Sequence, residues 1–253
     1  MVSAVDDPGP TSAARPRSTA PTVLWDFDGT LVTRDGNWRA ALLTALDQVD
    51  TDHGVTLERL REGLRDGFPW HRPEVPHPHL HTPERWWHDL DTALRLAYVI
   101  AGTDEATAGR AAARVRDVYV DPQYWTVFDD TRPALERLRD HGWRNVVLSN
   151  HVPELVDLVG RLGLADLIDG VLTSAVTGYE KPHPAMFEIA LDLVGHPDRV
   201  LMVGDNPVAD VAGAEAVGIP AILVRGSDPA TASGLTAAVD RILAHELGPL
   251  GGS

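Results

Sequence analysis

The hydrophobic pattern of this chain is one of short, fully apolar runs separated by longer amphipathic stretches. Val23 to Trp25, Val146 to Leu148, Val200 to Val203 and Ile219 to Val224 are such runs, with a weaker one at Val171 and Leu172. Runs without polar alternation mark strands covered on both faces, as in a parallel sheet. Between them lie helical segments with start and stop signals. Thr131 and Pro133 open one that Gly142 closes, and Pro153 to Leu162, Pro184 to Val194 and Val208 to Val217 form three more. Strands alternating with helices predict an α/β fold: a Rossmann-like parallel sheet with helices on both faces.

Residues 34–127 break this rhythm. They show helical spacing at Trp38, Leu42, Leu43 and Leu46, at Trp86, Leu90 and Leu94, and at Val115 and Val118, but no convincing strand. The segment reads as an inserted all-helical domain. Its middle, FPWHRPEVPHPHLHTPERWW, is rich in Pro and His and predicts a long loop between helices. The expected organisation is a disordered arm over 1–21, an α/β core built from 22–33 and 128–247, the helical insertion over 34–127, and a frayed tail over 248–253.

Composition narrows the chemistry more than it changes the fold. The 253 residues include no cysteine, which removes disulfides, thiolate metal sites and cysteine nucleophiles together. The formal net charge of −15 repels polyanions, and no Lys/Arg cluster is present to track a phosphate backbone, so nucleic acid is not an expected partner. No apolar run is long enough for a membrane helix, and the first residues lack a signal peptide's apolar centre; the chain reads as cytoplasmic. Monomer and homodimer both stay open.

Candidate chemistry sits where strands end. Asp26 and Asp28 follow the first run, Ser149 and Asn150 the second, Asp205 and Asp210 the fourth, and Lys181 lies on a loop after the weaker one. Ligands of open parallel sheets bind at the carboxyl ends of the strands, so one fold assumption brings these groups to one rim. Each alone has a plainer reading: a capped turn for the acid pairs, turn residues for Ser149 and Asn150, a solvated surface lysine for Lys181.

Taken in order, DFDGTL, SN, the isolated EKP and GDNPVAD resemble the four motifs of the haloacid dehalogenase superfamily, over roughly residues 25 to 225. The insertion resembles that superfamily's helical cap. The resemblance implies a nucleophile at Asp26 that forms an aspartyl-phosphate, and a general acid/base at Asp28. It implies an ammonium at Lys181 and a hydroxyl at Ser149 that hold the phosphoryl oxygens; Thr30 and Asn150 are candidate substrate contacts, and His151 either contacts substrate or starts the following helix. An all-oxygen metal site of Asp26, Asp28 (through its backbone carbonyl) and Asp205 favours Mg²⁺, with Asp210 either ligating or orienting. His151 departs from the resembled pattern, where a small residue such as glycine is common. Asp at position 28 resembles the phosphatase and phosphomutase branches and disfavours carbon–halogen cleavage. The expected activity is hydrolysis of the phosphate monoester of a small metabolite, with a phosphomutase and a non-catalytic phospho-ligand-binding module as alternatives.

Within the insertion, His71, His77, His79, His81 and His88 suggest either a second metal site or a solvated loop. Trp38, Trp70, Trp86 and Trp87 read mainly as core, with one or two free to line a pocket, and Arg72 reads as a surface residue or an anion contact.

Overall fold

The apolar runs assemble side by side into one sheet. The computed structural model describes residues 20–225 and 233–244; the expected arm, up to residue 19, and the expected tail over 248–253 lie outside the described residues. The chain enters along β1 (Thr22–Trp25) and turns through the two-residue β2 (Val32–Thr33). It then runs through α1 (Asn37–Asp47), α2 (Leu57–Gly63), α3 (Pro83–Ala101) and α4 (Glu105–Tyr119), and returns along β3 (Thr126–Val127). Alternation follows: α5 (Thr131–Asp140), β4 (Arg144–Ser149), α6 (Leu155–Arg161), β5 (Gly170–Thr173), α7 (Ser174–Thr177), α8 (Pro184–Val194) and β6 (Val200–Gly204). After β6 come a π-helical turn at Pro207–Ala212, α9 (Gly213–Ala216), β7 (Ala221–Leu223) and α10 (Leu235–Leu243).

The five-stranded sheet has the order β5-β4-β1-β6-β7 with every neighbouring pair parallel. From the central β1 the chain winds first toward β4 and β5, then toward β6 and β7, so the carboxyl ends of β1, β4 and β6 flank the point where the winding reverses. Trp25 is level with Val147 and Val203, which delivers Asp26, Ser149 and Asp205 to one end of the sheet.

The β1 side chains alternate between two cores. Val23 and Trp25 join Val147, Val203 and Ile222 on one face, while Leu24 joins Val146, Met202, Met186 and Phe187 on the other. The polar Asn145 is fully buried in β4 and completely used. It accepts from the Trp25 indole at 3.0 Å and donates to the Leu135 and Leu167 carbonyls at 3.0 and 3.1 Å.

Four helices lie between β2 and β3, which pair antiparallel at the neck of the insertion. β3 is too short to have shown in the hydrophobic pattern. The Thr82 hydroxyl accepts from the Arg85 amide, Pro83 takes the first helical position, and Gly102 ends α3 in the left-handed conformation. Asp104 caps α4 through the Ala106 and Thr107 amides at 3.0 Å. The buried Tyr98 hydroxyl of α3 donates to the Leu42 carbonyl of α1 at 2.7 Å.

Polar contacts also tie the insertion to the sheet. Glu154, at the start of α6, accepts from the Trp87 indole at 3.0 Å and from Arg116 at 2.8 Å. On the other side His77 pairs with the buried Glu180 at 3.1 Å, and the His77 amide donates to the Gly178 carbonyl at 2.8 Å. The Pro- and His-rich stretch is therefore a docked loop, with 3₁₀ turns at Pro69–His71 and Pro78–Leu80.

The helix expected over Val208 to Val217 forms as two pieces. The Asn206 side chain accepts from the Val208 and Ala209 amides at 2.9 Å, and the first turn is π-helical before α9 tightens.

Replacing Asn145 by Ala takes a buried partner from the Trp25 indole and from the Leu135 and Leu167 carbonyls. The expected loss is about 2–4 kcal/mol of unfolding free energy, read from urea denaturation, with the parallel sheet retained.

Candidate active site

Asp26 stands one residue beyond β1, where its amide still donates to the Val203 carbonyl at 2.9 Å, and it is 7% exposed. The loop that follows turns at once. Gly29 has φ +88°, and a Cβ there would lie 2.5 Å from an Asp205 carboxylate oxygen. Only glycine lets this turn bring the Asp26–Asp28 segment against Asp205.

Lys181 is the organising group. Its ammonium donates to Asp26 Oδ1 at 2.7 Å, Asp210 Oδ1 at 2.6 Å and the Leu148 carbonyl at 2.8 Å, so all three protons are used. Burial alone pushes its pKa down, but the charges of Asp210 and Asp26 outweigh it and hold the ammonium above the ordinary lysine range. The Lys181 backbone is clasped by Asn150, whose Oδ1 accepts from the Lys181 amide at 2.7 Å and whose Nδ2 donates to the Lys181 carbonyl at 2.9 Å.

Ser149, at the end of β4, donates its hydroxyl to Asp26 Oδ1 at 2.9 Å. Ser149 and Lys181 therefore converge on one Asp26 oxygen. The other, Oδ2, takes no hydrogen bond among the described residues.

Asp28 points away from this cluster and accepts from the Asn37 side chain at 2.6 Å. Burial, and then the Asp26 charge, push its carboxyl up to about 7, against the opposing pull of the Asn37 hydrogen bond and the nearby Arg34. Asp205 is likewise raised to about 7, by burial and then by the Asp26 and Asp210 charges.

Among the described residues, Asp26, Asp205 and Asp210 form the one group of three or more candidate ligands, with carboxylate oxygens within 4.8 Å of one another. A hard divalent cation fits this crowd of oxygens, because its charge relieves the mutual repulsion that raises Asp205. Asp210 is fully buried, and its oxygens already accept from Lys181 and, at 3.0 Å, from the Asn206 amide. That geometry suits an orienting carboxylate better than a direct ligand. Among the described residues, the histidines of the insertion do not assemble into a comparable cluster.

The structure brings Asp26, Asp28, Ser149, Asn150, Lys181, Asp205 and Asp210 to one cavity of about 300 Å³. Two expected substrate contacts lie elsewhere. Thr30 is fully buried below the site, with its hydroxyl 3.5 Å from Asp205 Oδ1. His151 is also buried, packed against Phe27, Tyr119 and Trp125 with ring centroids 5.4–5.6 Å away. Asn150 does reach the cavity, but its amide is spent on Lys181. Asn37, Trp38, Trp70 and Tyr119 complete the lining from the insertion. Asn37 carries no mark in the sequence beyond the preceding Asp-Gly turn, and Tyr119 reads only as part of an amphipathic helix.

A sequence profile of the haloacid dehalogenase-like hydrolases matches residues 20–218. The chain belongs to that family and is a hydrolase. It is 32% identical over 211 residues to human "haloacid dehalogenase-like hydrolase domain-containing protein 3", with 81% of each chain covered. It is 36% identical over 140 residues to a ribulose-1,5-bisphosphate 5-phosphatase of Halopiger xanaduensis, covering 51% of this chain and 58% of that protein. It shares its fold with a HAD phosphatase from Thermococcus onnurineus, at a TM-score of 0.60 and 24% identity over 88% of this chain and 97% of that one. No described helix is long and apolar enough to cross a membrane.

His151 supplies a pH test of this packing. Burial lowers its pKa from 6.5 to about 4, against a small opposing effect of the Val152 backbone and the Asp26 charge. As pH falls from 6.5 to 4, the unfolded chain binds a proton at this position while the native chain does not, so native stability declines across that window. In His151→Leu the decline becomes shallower than in the wild type, which urea denaturation at stepped pH reads directly.

Proposed function

We propose that this hydrolase is a Mg²⁺-dependent phosphatase acting on the phosphate monoester of a small metabolite through an Asp26 phosphoenzyme. The convergence of Lys181 and Ser149 on one oxygen of Asp26 carries the reading, because it fixes the carboxylate and leaves its other oxygen for attack. The phosphatase among the relatives supports the same class.

Asp26 and Asp205 would hold the metal, together with the Asp28 backbone carbonyl that the family likeness implies. When bound, the ion supplies positive charge that allows a carboxylate and a phosphate to approach each other. Asp26 Oδ2 attacks phosphorus in line with the ester oxygen. Asp28, whose raised pKa leaves it partly protonated near neutrality, gives its proton to the departing alcohol. The deprotonated Asp28 then takes a proton from the water that attacks the aspartyl-phosphate, releasing phosphate and restoring Asp26. As the phosphate enters, Lys181 and Ser149 exchange their hydrogen bonds to Asp26 for bonds to the phosphoryl oxygens, with Asp210 and Asn150 keeping Lys181 in place. The helical insertion acts as a cap that shields the aspartyl-phosphate from bulk water.

Assay of free phosphate from a generic aryl phosphate tests this reading. Turnover requires Mg²⁺, falls to background in Asp26→Asn and on chelation, and drops by about 10²–10⁴-fold in Asp28→Asn. Full activity in Asp26→Asn would remove the nucleophile; an isomerised phosphate ester in place of free phosphate would make the enzyme a mutase. Lys181→Met should lose activity together with folding stability, because it leaves Asp26 and Asp210 facing each other unneutralised in a buried site.

A further inference from the structure

The wall facing the phosphate site differs in chemistry from the floor. The floor holds four carboxylates and one ammonium, Lys181, whose three protons are already engaged. The wall, from the insertion, contributes Trp38, Trp70, Tyr119 and the amide of Asn37, and neither Lys nor Arg among the described residues. The nearest buried cation, Arg34, sits behind this wall, its guanidinium 5.6 Å from the Tyr119 ring centre and 4.9 Å from that of Tyr124.

The aromatic wall is ordered. Trp38 stacks on Tyr119 with centroids 4.0 Å apart and planes 19° from parallel. Trp70 follows on from Trp38 at 5.3 Å and 31°, and Phe68 from Trp70 at 4.6 Å and 25°. The result is a cluster of rings leading outward from Tyr119, with two stacked pairs, in which Phe68 also meets Trp38 directly at 5.4 Å and 53°. Asn37, Trp38 and Trp70 also line a second cavity of about 650 Å³ on its far side. Of the two cavities only this one is lined by arginines: Arg61 and Arg65, paired with Glu58 and Glu62 at 3.4 and 2.6 Å, and Arg39.

We infer that the substrate's leaving group is an uncharged alcohol bearing a flat ring, such as a nucleoside or a benzylic alcohol, seated against Trp70 and Trp38. The inference rests on the phosphatase reading above and extends it past the phosphorus atom. A second phosphate or a carboxylate on the leaving group would be desolvated beside Asp28 and Asp205 with no cation but the engaged Lys181 lining that cavity to meet it. An uncharged ring loses little on leaving water and gains contact with aligned aromatic surfaces. Trp70 is the specificity-determining residue: it is half-buried, on the docked loop, and lines both cavities.

The test uses the full chain with Mg²⁺ and primary alkyl phosphates of similar intrinsic reactivity. Adenosine 5′-monophosphate, uridine 5′-monophosphate and benzyl phosphate are compared with glycerol phosphate, phosphoserine and phosphoglycolate. The ring-bearing esters should exceed the others in kcat/KM by about tenfold or more, the scale of one good aromatic contact. Trp70→Ala should remove most of that advantage through KM, lowering kcat/KM for the ring-bearing esters about tenfold more than for glycerol phosphate, and Trp70→Phe should restore the difference. Equal or better turnover of the anionic leaving groups, or a uniform loss across all substrates in Trp70→Ala, would overturn the assignment. Equilibrium binding of the same esters to Asp26→Asn keeps the two readings apart. The same order of affinities without turnover in the wild type would refute hydrolysis and uphold the leaving group, whereas turnover with the reverse order would do the opposite.

Discussion

The buried ammonium of Lys181 is the interaction on which the site depends. A charge with almost no exposure is tolerated only when it is paired and hydrogen-bonded, and here its partners come from the ends of three strands: Asp26 after β1, Leu148 in β4 and Asp210 after β6. The sheet must therefore close in the observed order for the lysine to be satisfied. Equally, two carboxylates at the centre of the molecule can stay near each other only because the lysine lies between them. Asn150 reinforces the arrangement by holding the lysine through its backbone.

The second constraint is the separation of the two acids of the DFD segment. Asp26 is held by a lysine and a hydroxyl, while Asp28 faces the insertion and is held by the amide of Asn37. The intervening Phe27 points into the core, against Trp125 and His151, and anchors the segment. Two carboxylates so close in sequence thus meet different surroundings, and the residue that hydrogen-bonds Asp28 belongs to the insertion. Chemistry at the phosphate and the position of the insertion are coupled through that one hydrogen bond.

The insertion is itself fastened at two places, Glu154 with Trp87 and Arg116, and His77 with Glu180 beside the lysine. These contacts place the aromatic wall over the acid cluster. They also explain the proline- and histidine-rich loop, whose His77 is used as a buried polar tie and not as a ligand.

Much of this was legible in the sequence because it is local. Strands buried on both faces must be apolar throughout, so the five runs announced a parallel sheet, and polar residues directly after such runs have nowhere to go but its carboxyl edge. The acid pair, Ser149 and Asp205 were readable for that reason, whereas Lys181, on a loop past β5, was readable only from its place among the ordered motifs. Tertiary structure alone decided what depends on residues far apart in the chain. Thr30 and His151 sit within the motifs yet turn into the core, and Asn150 turns to the lysine, since side-chain direction is set by packing and not by position in a motif. Asn37, Trp38, Trp70 and Tyr119 meet over the phosphate site from separate helices and a loop, a convergence that helical periodicity cannot register because it reports only which face is buried, not what that face will touch.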